Sequence, residues 1–244
     1  MKKVIIGIVA KHNDTGKLRL DSFIRDEVKD CILDNGGVAI GILNTMSDLT
    51  LMTEPSREVI LKNLPKLFTQ KEQNDLKEEI ALCDGVILQG GSKSDVYEIW
   101  IAKYCHEHNI PLLAICAGQN NMVQAVGGSI KSLGTDTHYK MREQYVHSIK
   151  VDKSSLFYKI VKTETMPVNS RHLNTVSNPG KLKISAIDMD GNIEVVEAPN
   201  KLFYLGVRFH PESLYRTDKN HNAIIKAFIL ACKKYNKQKN LSDI

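Results

Sequence analysis

Short apolar runs alternate with segments of helical periodicity along the first half of the chain. The runs are rich in Val, Ile and Leu and predict buried strands at residues 4–10, 38–43, 86–88 and 111–116. The segments between them predict helices, the first N-capped by Asp21, the second over about 71–82 and the third from Val96. Strands that are apolar on both faces and separated by helices are typical of a parallel sheet covered on both sides. The pattern therefore predicts an α/β fold, a three-layer sandwich around a mostly parallel sheet.

The second half of the chain has the shorter alternation of antiparallel strands. Segments 145–151, 166–168, 183–187 and 193–197 predict such strands, and Asp190-Gly191 between the last two is typical of a hairpin turn. A strand at 202–209 and an amphipathic helix from about Asn222 complete the pattern. Because we find no repeat, low-complexity tract or linker, we expect residues 1–244 to form a single domain with a small antiparallel β insertion.

The net charge of +5 suggests a polyanionic partner only until the charge is located. Residues 226–244 hold five lysines and one acidic residue, so most of the excess lies in the last helix and the tail. Nucleic-acid binding requires a clustered basic face on a folded domain, which this pattern does not indicate. The N-terminal apolar run leads directly into polar residues without a cleavage site, and no segment approaches the length of a membrane span. We therefore expect a cytoplasmic protein that binds neither nucleic acid nor membrane.

One of the five cysteines stands where a catalytic nucleophile would. The five are odd in number and contain no Cys-x-x-Cys pair, which disfavours disulfides and a zinc site. Cys116 follows a predicted buried strand, with the small residues Ala114 and Gly118 two positions before and after it. A nucleophile on a sharp strand-to-helix turn needs small residues there, because the turn brings these positions close together. The alternative is that Cys116 simply ends a core strand as a small apolar residue.

A base and a group to orient it occur together further along the chain. A thiol nucleophile needs both, and His210-Pro211-Glu212 supplies an imidazole and a carboxylate at the end of a predicted strand. In a parallel sheet this strand end and Cys116 can both lie at the carboxyl edge, where α/β sheets place their sites. The sequence thus predicts catalytic roles for Cys116, His210 and Glu212.

A pair of glycines follows the third predicted strand. Gly90 and Gly91 could be an ordinary strand-ending turn. In hydrolases with a nucleophile elbow, however, the oxyanion hole takes one backbone N–H from the residue after the nucleophile and another from a neighbouring strand-end loop. Ala117 and Gly91 are the candidates for these two donors.

Together these motifs resemble the class I glutamine amidotransferase fold, which has a flavodoxin-like core and a Cys-His-Glu triad. The narrower resemblance is to the γ-glutamyl-γ-aminobutyrate hydrolase family of cysteine peptidases. It is supported by three further stretches, Asp95-Val96-Tyr97-Glu98, Val168-Asn169-Ser170 with His172, and the segment from Asp188 to Glu197. The chain departs from the family pattern at Ala117, Asn120 and Leu173, and its loop after Gly91 is short, so the resemblance implies the triad but not the γ-aminobutyrate specificity.

The resemblance implies a cysteine-dependent hydrolase of a small γ-glutamyl compound, without metal or organic cofactor. The alternative is a glutaminase subunit that delivers ammonia to a partner synthetase. The oligomeric state stays open, a homodimer included. Asn169, Ser170 and His172 are expected to line the substrate pocket, although a hydrogen-bonded structural turn is nearly as good an interpretation. The expected substrate-binding residues are Gly90, Asn120, Asn169, Ser170 and His172, whereas the other histidines, His138 and His147 among them, are expected to be ordinary surface or core residues.

Overall fold

A nine-stranded sheet runs through the described part of the protein. The computed structural model describes residues 3–13, 21–45, 64–91 and 96–242. In chain order the strands are β1 (Ile5–Val9), β2 (Lys11–Asn13), β3 (Asp21–Phe23), β4 (Val38–Ile42), β5 (Gly85–Leu88), β6 (Leu112–Ile115), β7 (Ser129–Ser132), β8 (His147–Val151), β9 (Thr165–Val168), β10 (Asn174–Asn178), β11 (Lys183–Asp188), β12 (Ile193–Glu197) and β13 (Tyr204–Val207). The large sheet has the order β4-β1-β5-β6-β13-β12-β11-β8-β9, while β2-β3 and β7-β10 form two small sheets.

The first five strands of this order, β4 to β13, are parallel to one another. The helices that join and cover the strands are α1 (Asp26–Asp34), α2 (Gln70–Ala81), α3 (Val96–Glu107), α4 (Ala117–Ala125), α5 (Leu156–Val161) and α6 (Lys219–Ser242). One core cluster joins one face of the sheet to α1, α5 and α6, and a second joins the other face to α2, α3 and α4. Strand residues alternate between the clusters: Leu113 and Ile115 belong to the first, Leu112 and Ala114 to the second. The predicted three-layer α/β sandwich is confirmed.

The remaining four strands, β12, β11, β8 and β9, are antiparallel and continue the same sheet. β11 and β12 form the predicted hairpin, and Asp188 shapes its turn by accepting hydrogen bonds from Asp190 N at 2.9 Å and Asn192 N at 2.8 Å. Gly191 in this turn has a φ of 83°, a conformation that glycine adopts without a steric penalty. The antiparallel part therefore lies beside β13, next to the parallel half of the sheet.

Two helix boundaries differ from the sequence prediction. Asp21 does not cap α1, because Asp21–Phe23 pairs with Lys11–Asn13 as an antiparallel strand, and Arg25 is the N-cap residue instead. The last helix begins at Lys219 rather than near Asn222. Asp218, just before it, accepts hydrogen bonds from the N–H groups of Asn220 and His221 at 2.7 and 3.3 Å. Local propensity could not reveal the strand pairing of Asp21–Phe23 with Lys11–Asn13. None of the helices in the described ranges is both long and apolar enough to cross a membrane.

Candidate active site

The turn after β6 has the geometry of a nucleophile elbow. Cys116 is the N-cap of α4 and adopts φ 52° and ψ −107°, a conformation that side-chain-bearing residues rarely adopt. Its N–H donates to the carbonyl of Val207 on β13 at 2.8 Å. A Cβ on Gly118 would lie 2.3 Å from the carbonyl oxygen of Leu88, so only glycine fits there. The small residue at position 118 is thus required by the turn, as the sequence predicted.

His210 and Glu212 come from the turn after β13, the neighbour of β6. Because β6 and β13 are parallel and Ile115 pairs with Val207, the two strands end side by side. His210 precedes a short 3₁₀ helix, Pro211–Ser213, which turns the chain back. His210 Nδ1 lies 2.7 Å from Glu212 Oε1, which leaves Nε2 for the Cys116 thiol. The structure therefore brings Cys116, His210 and Glu212 together.

Electrostatic interactions in this group favour the ionised forms of Cys116 and His210. Burial alone would raise the pKa of the Cys116 thiol, but the positive charge and the hydrogen bond of His210, together with Arg208, hold that pKa below its ordinary value. Burial would lower the pKa of His210, but the charges of Glu212 and Cys116 raise it to about 10. Both shifts favour a thiolate paired with an imidazolium.

The Gly90-Gly91 turn lies against this group. A Cβ on Gly90 would lie 2.7 Å from His210 Cε1, and one on Gly91 would lie 3.0 Å from Lys11 Cε. The side chain of Gln89 fixes the strand end by donating to the carbonyl of Val9 at 2.9 Å. Ala117 is the first residue of α4, a position whose N–H has no acceptor within a helix. The loop that follows, residues 92–95, with Asp95 of the resemblance, lies outside the described residues.

A buried ion pair that the sequence did not predict lies next to Gly91. Lys11 Nζ is 2.6 Å from Glu98 Oε1, and both side chains are almost fully buried. Asn121 of α4 donates to Glu98 Oε2 at 2.5 Å. Glu98 belongs to one of the stretches that support the family resemblance. Lys11 begins the polar segment after the first apolar run, and nothing near it in the sequence indicates an acidic partner. The pair joins the start of β2 to α3, and Asn121 joins it to α4.

Arg208 is the second residue without a predicted role. It is buried, 1% exposed, and its Nη1 donates to Asn120 Oδ1 at 2.6 Å and to the Cys116 carbonyl at 3.4 Å. Its Nε and Nη2 have no hydrogen-bond partner among the described residues. A single charged residue between the apolar residues Val207 and Phe209 was the signal that could have found it. The side chain of Asn120, which is expected to bind substrate, is held by this hydrogen bond from the guanidinium.

The other expected substrate-binding residues make internal hydrogen bonds. Asn169 Nδ2 donates to the carbonyl of His210 at 2.9 Å, and its Oδ1 accepts from His210 N at 2.7 Å. Ser170 Oγ donates to the carbonyl of His138 at 2.6 Å. His172 is buried, which lowers its pKa to about 2, and its Nε2 lies 3.4 Å from Glu194 Oε1. Asn169 thus supports His210 and Ser170 contacts His138, and the role of both residues in substrate binding stays a prediction.

The nine-stranded α/β sheet and the helices that cover it have the fold of the class I glutamine amidotransferases. Residues 92–212 match the family described as Peptidase C26, so the chain contains a Peptidase C26 domain.

Two curated relatives and one solved structure show the range of similar proteins. CTP synthase of Chlamydia trachomatis serovar A is 31% identical over 202 residues, which cover 69% of this chain and 37% of that enzyme. The chain therefore spans little more than a third of the length of these synthases. The γ-glutamyl-γ-aminobutyrate hydrolase of Escherichia coli O157:H7 is 24% identical over 247 residues, with 95% of this chain and 94% of the relative covered. The Trypanosoma brucei CTPS glutaminase domain with bound acivicin superposes with a TM-score of 0.65 at 18% identity, covering 95% of this chain and 94% of that one.

Proposed function

We propose that the protein hydrolyses the γ-glutamyl amide bond of a small γ-glutamyl compound, with Cys116 as the nucleophile. The observation that carries the proposal is the pairing of Cys116 with His210, whose Nδ1 is held by Glu212 at 2.7 Å. A thiolate is the reactive form of cysteine, and an imidazolium oriented by a carboxylate is the acid that an amide leaving group requires.

In the first half of the reaction the thiolate attacks the γ-carbonyl carbon of the substrate. The C–S bond forms as the C=O π electrons move to oxygen, and the backbone N–H groups of Gly91 and Ala117 stabilise the resulting oxyanion. The oxyanion collapses, the C–N bond breaks, and the His210 imidazolium donates its proton to the departing amine. The product is a thioester between the γ-glutamyl group and Cys116.

In the second half the neutral His210 takes a proton from a water molecule that attacks the thioester. Collapse of this second tetrahedral intermediate breaks the C–S bond and releases glutamate. The thiolate and the imidazolium are then restored. Glu212 holds the imidazole through Nδ1 and stabilises the imidazolium whenever it forms.

A second candidate function is that of a glutaminase subunit that delivers ammonia to a partner synthetase. It is favoured by the CTP synthase relatives and by the glutaminase-domain structure, which matches over 95% of this chain. The relative that matches over nearly its whole length is named a hydrolase, which favours the first candidate. Both candidates use the same Cys116 chemistry.

The test is a panel of γ-glutamyl amides and glutamine assayed for free glutamate with the full chain alone. We expect turnover of at least one γ-glutamyl compound by the wild type and by the control Cys83→Ala, and none by Cys116→Ala. Full turnover by Cys116→Ala would exclude the mechanism. Glutamine hydrolysis that appears only when a second protein is added would identify the glutaminase subunit instead.

A further inference from the structure

Three histidines and a glutamate converge in the interior on the antiparallel side of His210. His138 follows β7, His147 begins β8, His172 precedes β10, and Glu194 lies on β12. One ligand atom from each of the four lies within 4.8 Å of the others. His138, His172 and Glu194 are buried, and His147 is half-buried. Four separate segments of the chain thus place metal-binding side chains around one point.

The polar atoms that meet there lack hydrogen-bond partners among the residues that the structure describes. They are His138 Nδ1, both ring nitrogens of His147, His172 Nε2 and both carboxylate oxygens of Glu194. Buried polar atoms are almost always hydrogen-bonded, because leaving them unpartnered is costly. A concentration of such atoms in one place indicates a missing common partner.

Neighbouring groups orient two of the imidazoles for metal binding. His172 Nδ1 lies 3.0 Å from the carbonyl of Asn174, so Nδ1 carries the proton and Nε2 presents its lone pair to Glu194 Oε1 at 3.4 Å. Two electron pairs that face each other at this distance repel unless a cation lies between them. His138 Nε2 lies 3.4 Å from Asp188 Oδ2, which leaves Nδ1 as its ligand atom. Carbonyl and carboxylate partners of this kind set the tautomer of metal-ligating histidines.

We propose that His138, His147, His172 and Glu194 bind one first-row divalent cation, for which Zn²⁺ is the reference ion. Three imidazole nitrogens and one carboxylate oxygen form a donor set that suits Zn²⁺. Tetrahedral zinc holds its ligand atoms about 3.3 Å apart. Glu194 Oε1 already lies 3.4 Å from His172 Nε2 and 3.8 Å from His147 Nε2, so small rotations close the site.

Four protein ligands leave no open position, so the cation has a structural role. It joins the segment that contains Asn169 and His172 to β12 and β8. Asn169 holds the backbone of His210 on both sides. The cation therefore stabilises the loop that supports His210, and the inference does not depend on which amide the enzyme cleaves.

The experiment titrates Zn²⁺ into the full-length, chelator-dialysed protein at pH 7 against a chromophoric chelator. All variants carry Cys116→Ala, because the Cys116 thiol and His210 could themselves bind zinc. We expect one equivalent of Zn²⁺ per chain and an unfolding temperature that rises with the ion. His147→Gln and Glu194→Gln should each raise the Kd at least roughly a hundredfold, since even loss of an outer-shell partner costs 10–100-fold.

The matched control is His108→Gln, an imidazole at the end of α3 outside the cluster, which should bind Zn²⁺ like the parent. Circular dichroism shows which variants fold. If Glu194→Gln does not fold, the Kd of His147→Gln tests the proposal, because His147 is only half-buried. Absence of binding would overturn the proposal and identify a proton shared between Glu194 and His172 as the bridge. Binding that is unchanged in His147→Gln would equally overturn it.

Discussion

The carboxamide of Asn169 holds the backbone of His210 from both sides, accepting from its N–H at 2.7 Å and donating to its carbonyl at 2.9 Å. The two residues are 41 positions apart in the chain. This contact makes Asn169 a positioning residue for the imidazole that faces Cys116. A substitution at Asn169 is therefore expected to act on the reaction through the position of His210.

Asn169→Asp should lower kcat about a hundredfold and leave KM nearly unchanged. The aspartate keeps one acceptor but faces the His210 carbonyl with a second, so the loop shifts, and misplacement by about 1 Å costs roughly 10²-fold in rate. Steady-state kinetics on the best substrate of the panel measure the split. The exposed α2 variant Asn74→Asp serves as the control. A large rise in KM at constant kcat would instead show that Asn169 binds the substrate.

Cys116 should react with iodoacetamide much faster than the other four thiols at neutral pH. Burial raises the pKa of Cys83 to about 12 and raises those of Cys31, Cys105 and Cys232, so these stay protonated, whereas the pKa of Cys116 is lowered. Peptide mass spectrometry after short labelling gives the rates. Native Cys116→Ala should label slowly at every site. Equal rates in the wild type would disprove an activated thiolate.

Glu212→Gln should move the alkaline limb of the pH–rate profile to lower pH. His210 must be protonated to expel the amine, and its pKa of about 10 is raised chiefly by the Glu212 charge, so loss of that charge lets the imidazolium deprotonate at a lower pH. Activity should then fall first on the alkaline side. The exposed variant Glu164→Gln should keep the wild-type profile. An unchanged limb in Glu212→Gln would contradict the pairing.

Gly118→Ala should destabilise the protein by about 3 kcal/mol or more, the upper end of overpacking effects. The new methyl group would lie 2.3 Å from the backbone carbonyl oxygen of Leu88. This carbonyl belongs to β5 in the middle of the parallel strands, so it cannot move away. Gly41→Ala is the matched control, since its methyl group would meet only the side-chain end of Ile24 at 3.1 Å and should cost under about 1 kcal/mol. Urea unfolding measures both. Equal effects would argue against a tight elbow.

Lys11→Met should cost about 3–5 kcal/mol of stability, because it removes the cation that pairs with the buried Glu98 carboxylate. The double variant with Glu98→Gln should recover part of this loss, since both charges of the pair are then removed together. The exposed pair supplies the control: Lys71→Met, which removes the partner of Asp75, should cost about 0–1 kcal/mol. Thermal unfolding of the wild type, the two buried single variants, their double variant and Lys71→Met distinguishes these outcomes, and full additivity of the two buried changes would contradict the coupling.

The sequence by itself determined the elements that depend on local pattern. Short runs that are apolar on both faces and separated by helices are typical of buried parallel strands, and small residues around Cys116 are required by a strained turn, so the α/β sandwich and the elbow could be inferred from neighbours in the chain. The motif His210-Pro211-Glu212 was readable for the same reason, since imidazole and carboxylate are two positions apart.

Only the tertiary structure decided which distant side chains meet. The pairing of Asp21–Phe23 with Lys11–Asn13, the Lys11–Glu98 ion pair and the contact of Arg208 with Asn120 join residues 8 to 88 positions apart. The same holds for the cluster around Glu194, which joins His172 to His138 and His147, two histidines that the sequence alone does not single out. Periodicity reports whether a side chain is buried, but the partner of a buried charge depends on how the strands are ordered in the sheet, and that order is fixed by packing of the whole chain.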